Sequence, residues 1–230
     1  MGNPESNLLP RLIGWSLAHQ IILAVLLFVP GTLHFWQGWA FMAVNFAVTL
    51  VFCLYFYQHD RAALARRMLR KEKIGSQKII LFLIKEVSVI FYVTSGLDHR
   101  YGWSQTYLLP VPWWLTTLGL LGYAAGYAAF IKVLNANRFA ASIIQVEAGQ
   151  TIADTGPYRL VRHPMYAAGA IIWLWLPLAL GSFVALPVAL MMIPILLWRL
   201  LNEETFLKRE LPGYVEYCQR TPYRLIPLVW

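Results

Sequence analysis

The chain has 230 residues, of which 59% are hydrophobic and only 13% charged, and it carries a formal net charge of +8. A soluble globular domain has about 25% charged residues, so this composition excludes that class. The positive charge flanks apolar runs and does not form an aromatic-basic patch on a soluble domain. This argues against nucleic acid as a partner and points to membrane orientation and contact with anionic lipid.

Six membrane segments are expected in chain order. The first covers 12–29 and ends at Pro30 and Gly31; with no Ala-x-Ala-like cleavage site after it, it reads as a retained span. The second covers 35–57, with Trp36 and Trp39 at its outer end as interfacial anchors. The third covers 79–97 and is interrupted by Lys85 and Glu86, which as helix neighbours point about 100° apart and do not face each other. The fourth covers 113–134, after the breaker Pro110 and Pro112. Residues 165–198 would make a single helix of about 50 Å, longer than a hydrocarbon core of about 30 Å. Pro177, Gly181 and Ser182 lie in the middle and Arg162 and Arg199 flank the ends, so this stretch reads as a hairpin of two short helices. Beyond Arg199 the chain turns polar but keeps Phe206, Leu207 and Leu211 as an apolar stripe. That pattern predicts a separate helix lying on the membrane or on the domain, broken at Pro212 and Gly213. A short helix over 214–219 and an extended end follow.

The fold class is therefore all-α, a polytopic membrane helical bundle with a C-terminal hairpin and an amphipathic tail. Two parts are expected, 1–134 as N-terminal spans and 135–230 as the chemical core. In a six-span topology Arg11, the basic residues of 61–78, Lys132, Arg138, Arg159, Arg162 and those of the tail fall on one side, and Arg100 alone on the other. The positive-inside rule places both termini and both chemical motifs on the cytoplasmic side; a bacterial cytoplasmic membrane is the expected location. Cys53 and Cys218 read as small buried hydrophobes or inert thiols. His19, His34, His59, His99 and His163 show no ligand spacing, so no metal is expected.

Two motifs carry the chemistry. In the first, Gly156 and Pro157 form a turn, and Pro164 suits the first turn of the fifth helix. The free N–H groups of that turn, beside His163 and Tyr166, can bind a carboxylate or polar ligand. Tyr158 and Tyr166 offer aromatic faces to an adenosine or a sulfonium. In the second motif, Arg199 and Glu203 lie four residues apart on one helix face. The carboxylate could hold an ammonium, and the guanidinium a carboxylate in bidentate fashion. Taken separately, the motifs also read as an interfacial cap on lipid phosphates and as a surface ion pair.

In combination and order, Gly156-Pro157-Tyr158, Arg162-His163-Pro164-Met165-Tyr166, Arg199 with Glu203-Glu204, Gly213-Tyr214 with Tyr217, and Pro227 resemble the isoprenylcysteine carboxyl methyltransferase family, which is related to the phospholipid N-methyltransferases. The resemblance covers roughly 137–230. It implies an integral membrane enzyme using S-adenosyl-L-methionine, with a pocket at the cytoplasmic face closed by the C-terminal segment. It implies cofactor contacts from Tyr158, His163, Pro164, Met165 and Tyr166, backbone contacts from Gln150, Thr151, Ile152 and Ala153, and an ammonium site at Glu203. Arg199 would orient an acceptor carboxylate, as in prenylcysteine methylation, and a lipophilic or small acceptor would enter from the bilayer. An amine or thiol acceptor would need a base, and His163 is the candidate. Gln150 stands where family members often have His, and Gly169 follows Tyr166 by three positions where the family commonly has Gly at two.

Two other classes compete. The ending from Tyr217 to Pro227 is similar to the tail of NADPH-dependent membrane sterol reductases. A transporter or assembly protein is the non-enzymatic alternative, disfavoured because the chain lacks the internal symmetry of inverted-repeat transporters.

Overall fold

The computed structural model describes residues 8–67, 72 and 74–230. The first seven residues, and Arg70, Lys71 and Lys73 of the basic loop, lie outside that range. The described residues form helices and no strand. α1 (Leu8–Phe28), α2 (Trp36–His59), α3 (Arg61–Arg67), α4 (Gly75–Tyr101), α5 (Trp103–Tyr107) and α6 (Trp113–Ala136) come first. A 3-10 turn (Gly156–Arg159) precedes α7 (Pro164–Ala179), α8 (Leu186–Leu190), α9 (Met192–Glu210) and α10 (Tyr214–Arg220).

Five helices are long and apolar enough to cross a membrane: α1, α2, α4, α6 and the run Leu186–Glu210 that joins α8 to α9. α7 is apolar but has 16 residues, a length of about 24 Å. The six expected spans thus resolve into five of membrane length and one shorter helix. The hairpin turn falls where Gly181 adopts φ +62°, a left-handed conformation that favours glycine. Ser182 N–H donates to Pro177 O at 2.9 Å and closes the turn. The expected separate helix after Arg199 is not there. α9 runs unbroken from Met192 to Glu210, because the switch from apolar to polar residues changes its surroundings and not its backbone. It stops before Pro212, and Gly213 follows at φ +80°.

α6 and α7 pack closely because α6 presents glycines to α7. A Cβ on Gly119 would lie 2.3 Å from Ala179 N, and one on Gly122 would lie 2.3 Å from the Trp175 ring. Small residues at such a seam let two backbones approach, which drives helix association where lipid offers no hydrophobic force. This contact brings the end of α6, at Asn137, beside the start of α7.

The bundle has two unlike ends. At one, Phe35 stacks on His99 and His99 Nε2 lies 2.8 Å from Leu180 O. There the buried Asp98 carboxylate accepts from Ser104 N–H at 2.6 Å and from the Ser104 and Ser182 hydroxyls at 2.5 Å each, clasping three segments. The other end gathers the start of α1, the ends of α2 and α6 and the interhelical segments, with Leu8, Leu12, Phe56, Leu64, Leu134 and Ala140 in one cluster. The described basic residues of the loops and tail sit at this second end, and Arg100 at the first. Lys85 and Glu86 remain within α4. A charge at the centre of a span costs about 2.5–3.5 kcal/mol on insertion scales, so their environment matters.

Candidate active site

At the basic end the 137–153 segment, the 3-10 turn, the first turn of α7, the last turns of α9, and α10 line a single cavity. Its wall includes Gln150, Thr151, Ile152, Ala153, Tyr158, His163, Met165, Tyr166, Arg199 and Glu203. The residues expected from the two sequence motifs therefore converge on one space. Pro164 does not reach the wall; it is buried as the first residue of α7, where its missing N–H removes one of the donors that helix starts leave free.

The hairpin supplies the polar centre. The Tyr166 hydroxyl, from α7, donates to Glu203 Oε2 of α9. Arg199 Nε lies 3.3 Å from the same hydroxyl, so Tyr166 stands between guanidinium and carboxylate. Arg199, 8% exposed, also donates through Nη2 to Ser142 O at 2.8 Å. Among the described residues Glu203 has no cation within salt-bridge distance, which leaves its charge facing the cavity. Gly169 lies against α9, where a Cβ would stand 4.0 Å from Leu196 Cδ1.

Tyr158 is fixed from two sides. Asn137 Nδ2 donates to its hydroxyl at 3.3 Å, and its carbonyl accepts from the Tyr217 hydroxyl at 2.8 Å. Burial pushes the Tyr158 phenol up to about 12, so it stays protonated at neutral pH. Gln150 turns back on its own loop, with Oε1 accepting from Glu147 N–H at 3.0 Å beside Gly149 at φ +75°.

His163 is 4% exposed, and its Nε2 lies 3.4 Å from Glu204 Oε2 and 3.5 Å from the Tyr214 hydroxyl. Glu204 is the residue that sequence reasoning passed over. Its 3% exposed carboxylate meets Lys208 Nζ at 2.7 Å, Arg224 Nε at 3.1 Å and Arg162 Nη2 at 3.2 Å. Arg162 Nη1 also donates to Thr221 O at 2.8 Å and Pro222 O at 2.7 Å. Backbone bonds finish the join: Arg162 N–H to Tyr223 O at 2.9 Å and His163 N–H to Arg224 O at 3.0 Å. The free N–H groups before α7 are thus taken by the C-terminal segment. The sequence reading named Glu204 within the Glu203-Glu204 motif but gave it no role.

Arg67 is a second residue that the sequence did not single out. It donates through Nη1 to Ala141 O at 2.9 Å and lies 2.9 Å through Nη2 from Met165 Sδ, while its own carbonyl accepts from the Ser142 hydroxyl at 2.6 Å. Burial pulls its guanidinium down to about 10. Arg67 and Arg199 together hold the consecutive carbonyls of Ala141 and Ser142, which shapes the cavity wall.

Comparison with known proteins shows what this region is similar to. Residues 114–212 match the phospholipid methyltransferase family. That segment contains the glycine seam, the 150–153 wall, both motifs and all of α9. The resemblance read from the sequence is borne out there, and with the membrane-length helices the match supports a membrane methyltransferase. The chain is also similar to the cobalt-zinc-cadmium resistance protein CzcN of Cupriavidus metallidurans, with 28% identity over 159 residues, or 67% of this chain. The match spans 63% of that relative's length.

Proposed function

We propose that the cavity binds S-adenosyl-L-methionine and that the protein methylates a lipophilic or small acceptor at the cytoplasmic face of a bacterial membrane. The observation that carries this reading is the meeting of Tyr166, Arg199 and Glu203 across the hairpin on a cavity also walled by 150–153. The donor set suits the cofactor: Glu203, with no cation partner among the described residues, offers its carboxylate to an ammonium, Tyr158 and Tyr166 offer aromatic faces, and residues 150–153 offer backbone groups. When bound, the cofactor supplies an electrophilic methyl group on a sulfonium.

The protein's own contribution is alignment and exclusion of water. Holding two reactants in a near-attack geometry supplies up to about 7–11 kcal/mol of barrier reduction. Arg199 is the group assigned to position an acceptor carboxylate, and such an acceptor gives up no proton on methylation at neutral pH. His163 serves as the base only for an amine or thiol acceptor. The gathering of basic residues at the site's end supports a cytoplasmic location for both termini and the cavity.

Calorimetry on purified protein with S-adenosylhomocysteine and with NADPH tests the donor. Binding of the first and not the second is expected; the reverse would favour the reductase reading. Membranes incubated with methyl-labelled cofactor, followed by mass analysis of the labelled lipid or peptide, identify the acceptor.

A further inference from the structure

The middle of α4 carries two charges, Lys85 and Glu86. Lys85 is exposed on the outer face of the helix and Glu86 is half-buried beside it. Among the described residues neither side chain takes part in a hydrogen bond or an ion pair. Phe82, next to Lys85 in helical projection, and Ile79 and Ile90, next to Glu86, are exposed on the same helix, so the strip that bears both charges is otherwise apolar and turned to the bilayer.

The depth of these charges rules out escape to water. The apolar part of α4 lies between Lys78 and Asp98, which puts its midpoint at Ser88. Lys85 is three positions away, or about 4.5 Å along the axis. In a core about 30 Å thick this leaves roughly 10 Å to the nearer boundary. A lysine side chain reaches about 6 Å, so snorkelling falls short. The pair cannot neutralise itself either, because adjacent helix positions diverge by about 100°.

Adjacency has another consequence. Lys85 and Glu86 sit at nearly the same depth, on opposite flanks of one narrow strip. A two-fold axis along the membrane normal brings equal depths of two copies together, and an isologous contact makes each group meet the other's complement. We propose that α4 packs against α4 of a second copy, with Lys85 of each copy against Glu86 of the other. Both charges are then paired in the low dielectric of the bilayer, and Phe82 and Ile90 flank them. The interface lies outside the cavity, so it stands or falls independently of the methyl-transfer reading.

Single-molecule subunit counting in lipid nanodiscs tests the pairing. Two copies per assembly are expected for the wild-type protein. Lys85→Glu and Glu86→Lys should each shift the population to single copies by at least tenfold in the dimer-to-monomer ratio. The exchanged variant carrying both changes should restore two copies, because an isologous pair survives reversal of its signs. Wild-type protein found as single copies would overturn the proposal, as would single copies captured with a different membrane protein. So would single-site variants that stay paired, or an exchanged variant that stays monomeric.

Discussion

Tyr166 and Glu203 stand 37 positions apart, and the hydroxyl of the first donates to Oε2 of the second across the C-terminal hairpin. The contact fixes the carboxylate's direction toward the cavity and ties the start of α7 to the end of α9. A hydrogen bond to a charged group contributes about 1.5–3 kcal/mol. Tyr166→Phe should therefore weaken S-adenosylhomocysteine binding by at least about tenfold. Calorimetry that found wild-type affinity in this variant would remove Tyr166 from the donor site.

A substitution at Arg199 tests whether this residue serves the donor or the acceptor. Arg199→Lys keeps a charge but loses the planar fork that reaches both Ser142 O and the Tyr166 hydroxyl. Donor affinity is expected to stay within a few-fold of wild type while turnover drops by at least about a hundredfold, the loss of an interaction made in the transition state. If the variant instead failed to bind S-adenosylhomocysteine, Arg199 would belong to the donor and a carboxylate acceptor would lose its support.

Glu204 should matter to stability more than to chemistry. Glu204→Gln leaves Arg162, Arg224 and Lys208 around a neutral amide, and breaking a buried ion pair from one side costs about 3–5 kcal/mol. Lys208 is partly exposed and screened, so the lower figure is expected. A lower unfolding temperature in detergent and faster proteolysis beyond Thr221 are the measurements. A tail as resistant as wild type would show that the backbone bonds to Arg162 and His163 suffice.

The seam between α6 and α7 admits no added side chain. Gly122→Val places atoms where the Trp175 ring already lies, and overpacking of this kind costs typically about 1–3 kcal/mol. A loss of folded yield is expected with Gly122→Val and not with Gly14→Ala, whose surroundings are open. Equal yields would mean that the two helices can separate without penalty.

Alkaline pH should loosen the site. Burial raises the phenols of Tyr158, Tyr214 and Tyr217 above their ordinary value of 10, Tyr158 to about 12. A raised folded value means that the protonated form is favoured by folding. The stability linked to it is whole below pH 10 and declines as the unfolded chain ionises above that, across about pH 10–12 for Tyr158. Unfolding temperatures measured over this window should fall more steeply for wild type than for Tyr158→Phe. Parallel curves would contradict the linkage.

Much of this architecture was legible in the residues. The turn at Gly181, the cap at Pro164 and the pairing of the two motifs each follow from local chemistry, and of the residues expected at the site all but Pro164 line the cavity. The continuity of α9 was not legible, because a polar stretch after an apolar one reads equally as a new helix or as an old one leaving the bilayer. Glu204 was missed for a different reason. Two of its cations, Arg162 and Arg224, lie 42 and 20 positions away and come together only through the hairpin and the returning tail. Arg67 belongs to the N-terminal part, which carries no motif, and it reaches its carbonyl partner across 74 positions.

The carbonyls of Tyr223 and Arg224 reach back to the N–H groups of Arg162 and His163, which has a consequence for synthesis. Those donors are made some sixty residues before their acceptors, and the hairpin between them can enter the bilayer first. A nascent chain halted near residue 215 would thus hold an inserted bundle with an open vestibule and bare amides at its rim. Closure of the vestibule should begin only once residues 222–224 have left the ribosome, after the hairpin is in place.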